Sequence, residues 1–140
     1  MEGAGEMNQF PLRIVTPDGL LYDGNAEEVI ARTTTGDLGI LAGHINCVAP
    51  LGMGKATILI DGKKRYGACI GGMLSMMDGK ATFVATTFEW ADQIDLKRAA
   101  RSEERARAVL SDNKSTDTEI RLAQARLKRA LIRKSVADGK

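Results

Sequence analysis

The chain changes physical character near residue 93, and that break governs what it can fold into. Fourteen of its fifteen glycines and all three prolines, Pro11, Pro17 and Pro50, precede residue 80, whereas residues 95–140 hold one glycine, Gly139, and no proline. Glycine and proline punctuate turns and are costly inside helices, so a turn-rich β unit is followed by a helical one. Charge breaks at the same place. Residues 1–94 carry 7 Lys+Arg against 11 Asp+Glu, net −4, and residues 95–140 carry 13 against 7, net +6. The whole-chain value of +2 conceals two oppositely charged halves. The expected organisation is a β-sandwich over residues 8–92 followed by a two-helix hairpin over 93–138, an α+β chain in two parts.

The N-terminal part is long enough for its own core, and the C-terminal part, under 50 residues, has to lean on something. Only Phe10, Tyr22, Tyr66, Phe83, Phe88 and Trp90 are aromatic, so the β core is expected to be built from Val, Ile, Leu and Met. No run approaches the roughly 18 consecutive apolar residues of a membrane span. The first ten residues, with Glu2 and Glu6, lack the basic and apolar segments of a signal peptide, which points to a cytosolic protein. Cys47 and Cys69 stand alone with a single histidine, a pattern that indicates neither a disulfide framework nor a zinc site; both read as buried thiols.

Four Asp-Gly pairs, at 18–19, 23–24, 61–62 and 78–79, separate apolar runs and suit type I′ hairpin turns, whose two central residues both need positive φ. Short strands are expected at 12–15, 28–32, 56–60, 65–70, 73–77 and 80–85, in two packed sheets. Catalytic motifs are absent. The segment Gly52-Met53-Gly54-Lys55-Ala56 lacks both the glycine spacing and the Ser/Thr of a P-loop. His44 has no nucleophile beside it and only Asp37 as a nearby carboxylate, so a structural histidine in a glycine-shaped loop is the reading. Met53, Met73, Met76 and Met77 read as core filling in an aromatic-poor sandwich rather than an adaptable binding surface.

After the break, Leu96, Ala99, Ala100, Ala106, Val109 and Leu110 fall on one helical stripe, giving a helix from about Asp95 to Leu110. Thr116 followed by Glu119 has capping-box spacing for a second helix reaching about Val136, with Ile120, Ala123, Leu127, Ala130 and Leu131 inward. A seam of alanines buries little area at about 25 cal/mol per Å². Such a hairpin either opens for a few kcal/mol, as a switch, or stays permanently docked. Arg126, Arg129 and Arg133 share one stripe of the second helix, where like charges repel, so their forked donors either remain solvated or meet a phosphate or carboxylate cluster. A nucleic-acid partner is disfavoured: no aromatic residue follows Trp90 to stack on bases, and the sandwich is acidic.

The run Gly36-Asp37-Leu38-Gly39-Ile40-Leu41-Ala42-Gly43-His44, followed by Val48-Ala49-Pro50-Leu51, resembles the signature loop of the bacterial F-type ATP synthase epsilon subunit. Val15-Thr16-Pro17-Asp18-Gly19, Gly71-Gly72-Met73-Leu74 and Arg129-Ala130-Leu131-Ile132-Arg133 resemble that family too, over about residues 10–137. Departures fall at Ala42 and Asn46, where many relatives have proline, and at Cys47, where leucine is common.

The resemblance implies a sandwich of about ten strands and a helical hairpin, in a non-catalytic rotor subunit that couples ion-driven c-ring rotation to ATP synthesis. The sandwich would be held against the gamma subunit and the c-ring, with the loop bearing Asp37, Gly43 and His44 facing the ring. The subunit would sit peripherally at the cytoplasmic face of the cell membrane without inserting. The hairpin would extend to the catalytic beta subunits and restrain ATP hydrolysis. Some members bind ATP in the folded hairpin through an Ile/Leu-Asp-x-x-Arg-Ala motif, which matches Ile94, Asp95, Arg98 and Ala99, with Glu89, Arg129 and Arg133 completing the implied site. ATP would be a regulatory ligand there, and neither a metal nor a catalytic residue is implied. The alternative is a purely structural coupling subunit, its hairpin permanently docked and binding no nucleotide.

Overall fold

The computed structural model describes residues 8–139. The signal-peptide reading rests mostly on residues 1–7, which lie outside the described residues. Among the described residues no helix is long and apolar enough to cross a membrane. The chain divides after Trp90 into two compact units.

The first unit contains seven strands: β1 (Phe10–Thr16), β2 (Gly19–Ala26), β3 (Glu28–Thr33), β4 (Gly36–Leu41), β5 (Cys47–Ile60), β6 (Lys63–Met77) and β7 (Lys80–Trp90). They form one hydrogen-bonded sheet in the order β2-β1-β7-β6-β5-β3-β4. Only β1 and β7 run parallel; the other neighbours are antiparallel. β2 and β5, separated by three strands in that order, also touch, so the sheet closes over its own inner face as a sandwich. Seven strands replace the expected ten or so because β5 and β6 run unbroken for 14 and 15 residues. The segments expected at 65–70 and 73–77 are one strand, kinked at Gly71 and Gly72 (φ 72° and 121°). A Cβ at Gly72 would overlap the Val84 carbonyl oxygen, so only glycine passes there.

Phe10, Leu12 and Ile14 alternate inward along β1 and meet Val29, Ile40, Ile58, Leu74, Met76 and Phe83 in one core. The core is more aromatic than composition implied. Phe88 makes edge-to-face contacts with Phe83 at 5.3 Å and Trp90 at 5.0 Å, and a Cβ at Gly67 would overlap the Phe88 ring. Of the four methionines read as core filling, Met76 is fully buried and Met53 half-buried, but Met73 and Met77 are exposed. Cys69 is buried, its thiol pushed up to about 12 by desolvation; Cys47 is only half-buried.

Two of the four Asp-Gly pairs are type I′ turns: Asp61-Gly62 (φ 52°, 75°) and Asp78-Gly79 (φ 51°, 79°). At 18–19 only Gly19 is left-handed, and Asp23-Gly24 lies inside β2, opposite Arg13 and Leu12.

The second unit starts with a 3-10 turn (Ala91–Gln93), followed by α1 (Leu96–Ser111) and α2 (Asp117–Ala137). Asp95 caps α1, and the capping box of Thr116 and Glu119 starts α2. Its hydrogen bonds from Thr116 hold the Glu119 carboxyl below its usual range. The seam is narrower than the expected stripes. Ala99 and Ala106, one heptad apart on α1, and Ala123 and Ala130, one heptad apart on α2, are buried, whereas Leu96, Ala100 and Leu131 are exposed.

Candidate functional site

The hairpin carries a groove of about 370 Å³ on one flank of its alanine seam. Ser102, Arg105, Ala106 and Val109 of α1 and Glu119, Leu122, Ala123 and Arg126 of α2 line it. Helical spacing extends this flank beyond the lining. Arg98 lies one heptad before Arg105, and Arg129 and Arg133 lie three and seven residues after Arg126. Five guanidiniums therefore share the groove-bearing flank, and among the described residues no carboxylate pairs with those of Arg98, Arg105, Arg126 or Arg129. Forked donors in a row beside an apolar floor suit a polyphosphate or carboxylate ligand.

Asp95 and Arg98 are joined through the backbone: the Arg98 amide donates to Asp95 Oδ1 at 3.0 Å, which leaves the Arg98 guanidinium available. One Asp95 oxygen is thus committed to capping α1. Ile94 is half-buried in the turn before it and Ala99 is buried in the seam. Arg129 is exposed, and Arg133 is half-buried with an interaction of its own. Glu89 belongs to the first unit, half-buried on β7 opposite Ala68. The fit to ATP rests on the arginines: Arg98, Arg129 and Arg133 would hold phosphates. Arg105 joins them without belonging to the implied motif; its heptad spacing from Arg98 is the signal in the sequence that marks it.

The sandwich presents a different kind of surface. Leu20, Val15, Val84, Met73 and Pro50 are successive cross-strand partners on β2, β1, β7, β6 and β5. Leu20 is 58% exposed, Val84 48% and Met73 43%, so this outward row is apolar across five strands. Exposed apolar surface that is continuous, rather than scattered, marks a docking face.

The signature segment is mostly strand, not loop. Gly36–Leu41 form edge strand β4, and Asp37 pairs with Arg32 at 3.0 Å. The chain then turns at Gly43 (φ 83°), where the His44 amide donates to the Leu41 carbonyl and the ring Nδ1 lies 2.8 Å from the Ile45 carbonyl. A carbonyl only accepts, so the Nδ1 proton is held there, and His44 shapes the turn. Asn46 Oδ1 accepts the Asp78 amide at 2.9 Å, tying this turn to the β6–β7 turn. Leu41, Ile45, Val48 and Met77 are exposed around it.

Two family models cover almost the whole chain: "ATP synthase, Delta/Epsilon chain, beta-sandwich domain" matches residues 9–91, and "ATP synthase, Delta/Epsilon chain, long alpha-helix domain" matches residues 92–138. The chain belongs to the ATP synthase epsilon-subunit family. It is 42% identical over 131 residues to the ATP synthase epsilon chain of Bacillus velezensis, covering 94% of this chain and 98% of that one. With the epsilon chain of Ruminococcus albus it is 41% identical over 135 residues, covering 96% of this chain and all of the relative. The family is non-catalytic within that enzyme. In fold, the chain resembles one in the Euglena gracilis mitochondrial ATP synthase (OSCP/F1/c-ring), with TM-score 0.80, 23% identity, and coverage of 91% of this chain and 81% of that chain.

Proposed function

We propose that this epsilon-family chain works in the central stalk of an F-type ATP synthase, coupling ion-driven rotation to ATP synthesis and restraining ATP hydrolysis through its hairpin. The observation that carries the coupling role is the five-strand apolar row, Leu20 to Pro50. It offers the gamma subunit an apolar face that is continuous across the strands, on a unit that has no chemistry of its own. The apolar rim of Leu41, Ile45 and Met77, beside Asp37, Gly43 and His44, supports contact with the c-ring, at the cytoplasmic face of the cell membrane.

The arginine flank supports the regulatory role. An alanine seam closes weakly, and a ligand that binds only the closed hairpin shifts the equilibrium by its differential affinity. ATP is that ligand in this reading: Arg98, Arg129 and Arg133 bind phosphates, and Ile94, Asp95 and Ala99 shape the start of α1. With the hairpin open, its basic helices are available to acidic segments of the catalytic beta subunits.

Calorimetric titration of the full chain with ATP tests the sensing role. Binding in the micromolar-to-millimolar range, lost in Arg98→Ala and Arg133→Ala, is expected. Absence of heat with the unmodified chain would overturn ATP sensing and leave a purely structural coupling subunit.

A further inference from the structure

Glu103 lies on the alanine seam of α1, four residues after Ala99 and three before Ala106, where packing would favour an apolar residue. Lys134 lies on the facing stripe of α2, four residues after Ala130. Lys134 Nζ donates to Glu103 Oε1 at 2.7 Å, and Arg107 Nε donates to Glu103 Oε2 at 2.9 Å. Both carboxylate oxygens are taken, and the Glu103 side chain is only 16% exposed. These residues occupy the edge of the seam away from the arginine-lined groove, by the same helical spacing that places Arg105 and Arg126 in it.

We propose that Glu103 and Lys134 form a charged latch in the hairpin seam, so that one releasable ion pair, rather than apolar packing, decides whether α1 stays closed on α2.

The four seam alanines lose little on exposure, and the larger buried side chain of α2, Val136, lies six residues after Ala130 and so off their stripe; the alanines define where the helices meet without holding them firmly. A charged pair at a seam position behaves differently from a leucine. It is satisfied in one register only, because Glu103 must reach Lys134 while keeping Arg107. Lys134 keeps 42% of its side chain in water while it holds the 16%-exposed Glu103, so on opening both charges are readily rehydrated, whereas removal of the lysine leaves the Glu103 carboxylate in the seam with only Arg107. A leucine pair would close the hairpin more tightly and release it less readily. The latch therefore makes the hairpin specific and reversible together.

The inference rests on the switching role above and deepens it, and amide hydrogen exchange by NMR on the full chain separates the two. The slowest sandwich amides serve as the internal reference for global unfolding. Glu103→Gln and Lys134→Met are each expected to speed exchange of seam amides such as Ala106 and Ala130 by about five-fold, with sandwich amides unmoved. The double variant Glu103→Leu with Lys134→Leu is expected to slow the same amides below the unmodified chain. Unchanged seam exchange in both single variants, or a double variant as fast as the singles, would overturn the latch. Seam amides in the unmodified chain that exchange no faster than the slowest sandwich strands would instead overturn the switching role, and faster exchange in the single variants would still support the latch.

Discussion

Met73 on β6 and Val84 on β7 stand directly opposite one another, both turned to solvent on the outer face of the sandwich. Cross-strand apolar pairs normally stabilise a sheet by covering each other against water. Here the pair is the middle of a row, and its outer surface has no cover within the sandwich. Met73→Lys and Val84→Lys put a charge at the centre of that face without touching the core. Each is expected to leave the thermal midpoint within a few degrees and to weaken binding to a stalk complex lacking this subunit by at least about tenfold. Pull-down titration with the purified complex measures it; undiminished binding in both variants would remove the row from the docking surface.

Gly72 is the position where the sandwich tolerates least. Its backbone is left-handed at φ 121°, and a side chain would overlap the Val84 carbonyl oxygen on the neighbouring strand. Gly72→Ala therefore combines strain with a clash against backbone that has nowhere to move. A loss of about 3 kcal/mol is expected, read as a drop in midpoint of the sandwich transition. Gly39→Ala, at a position with nothing within 4 Å of the added carbon, is the control and is expected to change little.

The alanine seam makes a prediction of sign. Ala106 and Ala123 both line the groove floor and are both almost fully buried. Ala123→Leu adds volume where the helices approach most closely, so the helices must separate, at a cost of about 1–3 kcal/mol. The variant is expected to open the hairpin, not to tighten it. Distance labels on exposed Arg101 and Lys128 check this; a narrower, shorter distribution would show that the seam has room to spare.

Much of this was readable from residues alone, for reasons that differ by element. The helices were legible because their signals are local: Asp95 and Thr116 cap at the expected places, and Glu119 closes the capping box. The sandwich was legible as a class but not as a strand list. Asp23-Gly24 resembles a turn until β1 pairs across it, and β5 and β6 hide their continuity because Gly71-Gly72 reads as a break when it is a kink. Met73 and Met77 were read inward because hydrophobicity does not say which face of a strand a residue occupies; pairing does. At the candidate site, the Arg129 and Arg133 stripe followed from spacing. Arg105 is open to the same argument through its heptad spacing from Arg98; the Glu103–Lys134 pair is not, because it depends on the register between two helices.

Acid is expected to loosen the hairpin before the sandwich. The Lys134 hydrogen bond, followed by that of Arg107, holds the Glu103 carboxyl below its ordinary value, and Thr116 does the same for Glu119. A carboxyl whose pKa is lower folded than unfolded binds its proton more readily in the unfolded chain. Its contribution is therefore complete above the unfolded value of about 4.3 and is lost as pH falls through the depressed native value. The groups facing Glu103 are Lys134 on α2 and Arg107 on α1; Asp112 opposes Glu119 and reduces its shift. Helical circular dichroism and the protection of seam amides, taken relative to intrinsic exchange at each pH, should hold steady down to about pH 4.3 and then decline. In Glu103→Gln the seam is expected to exchange faster at neutral pH and to show a shallower acid decline, with the remainder assigned to Glu119. An unaltered decline in that variant would mean that another carboxylate governs the acid response.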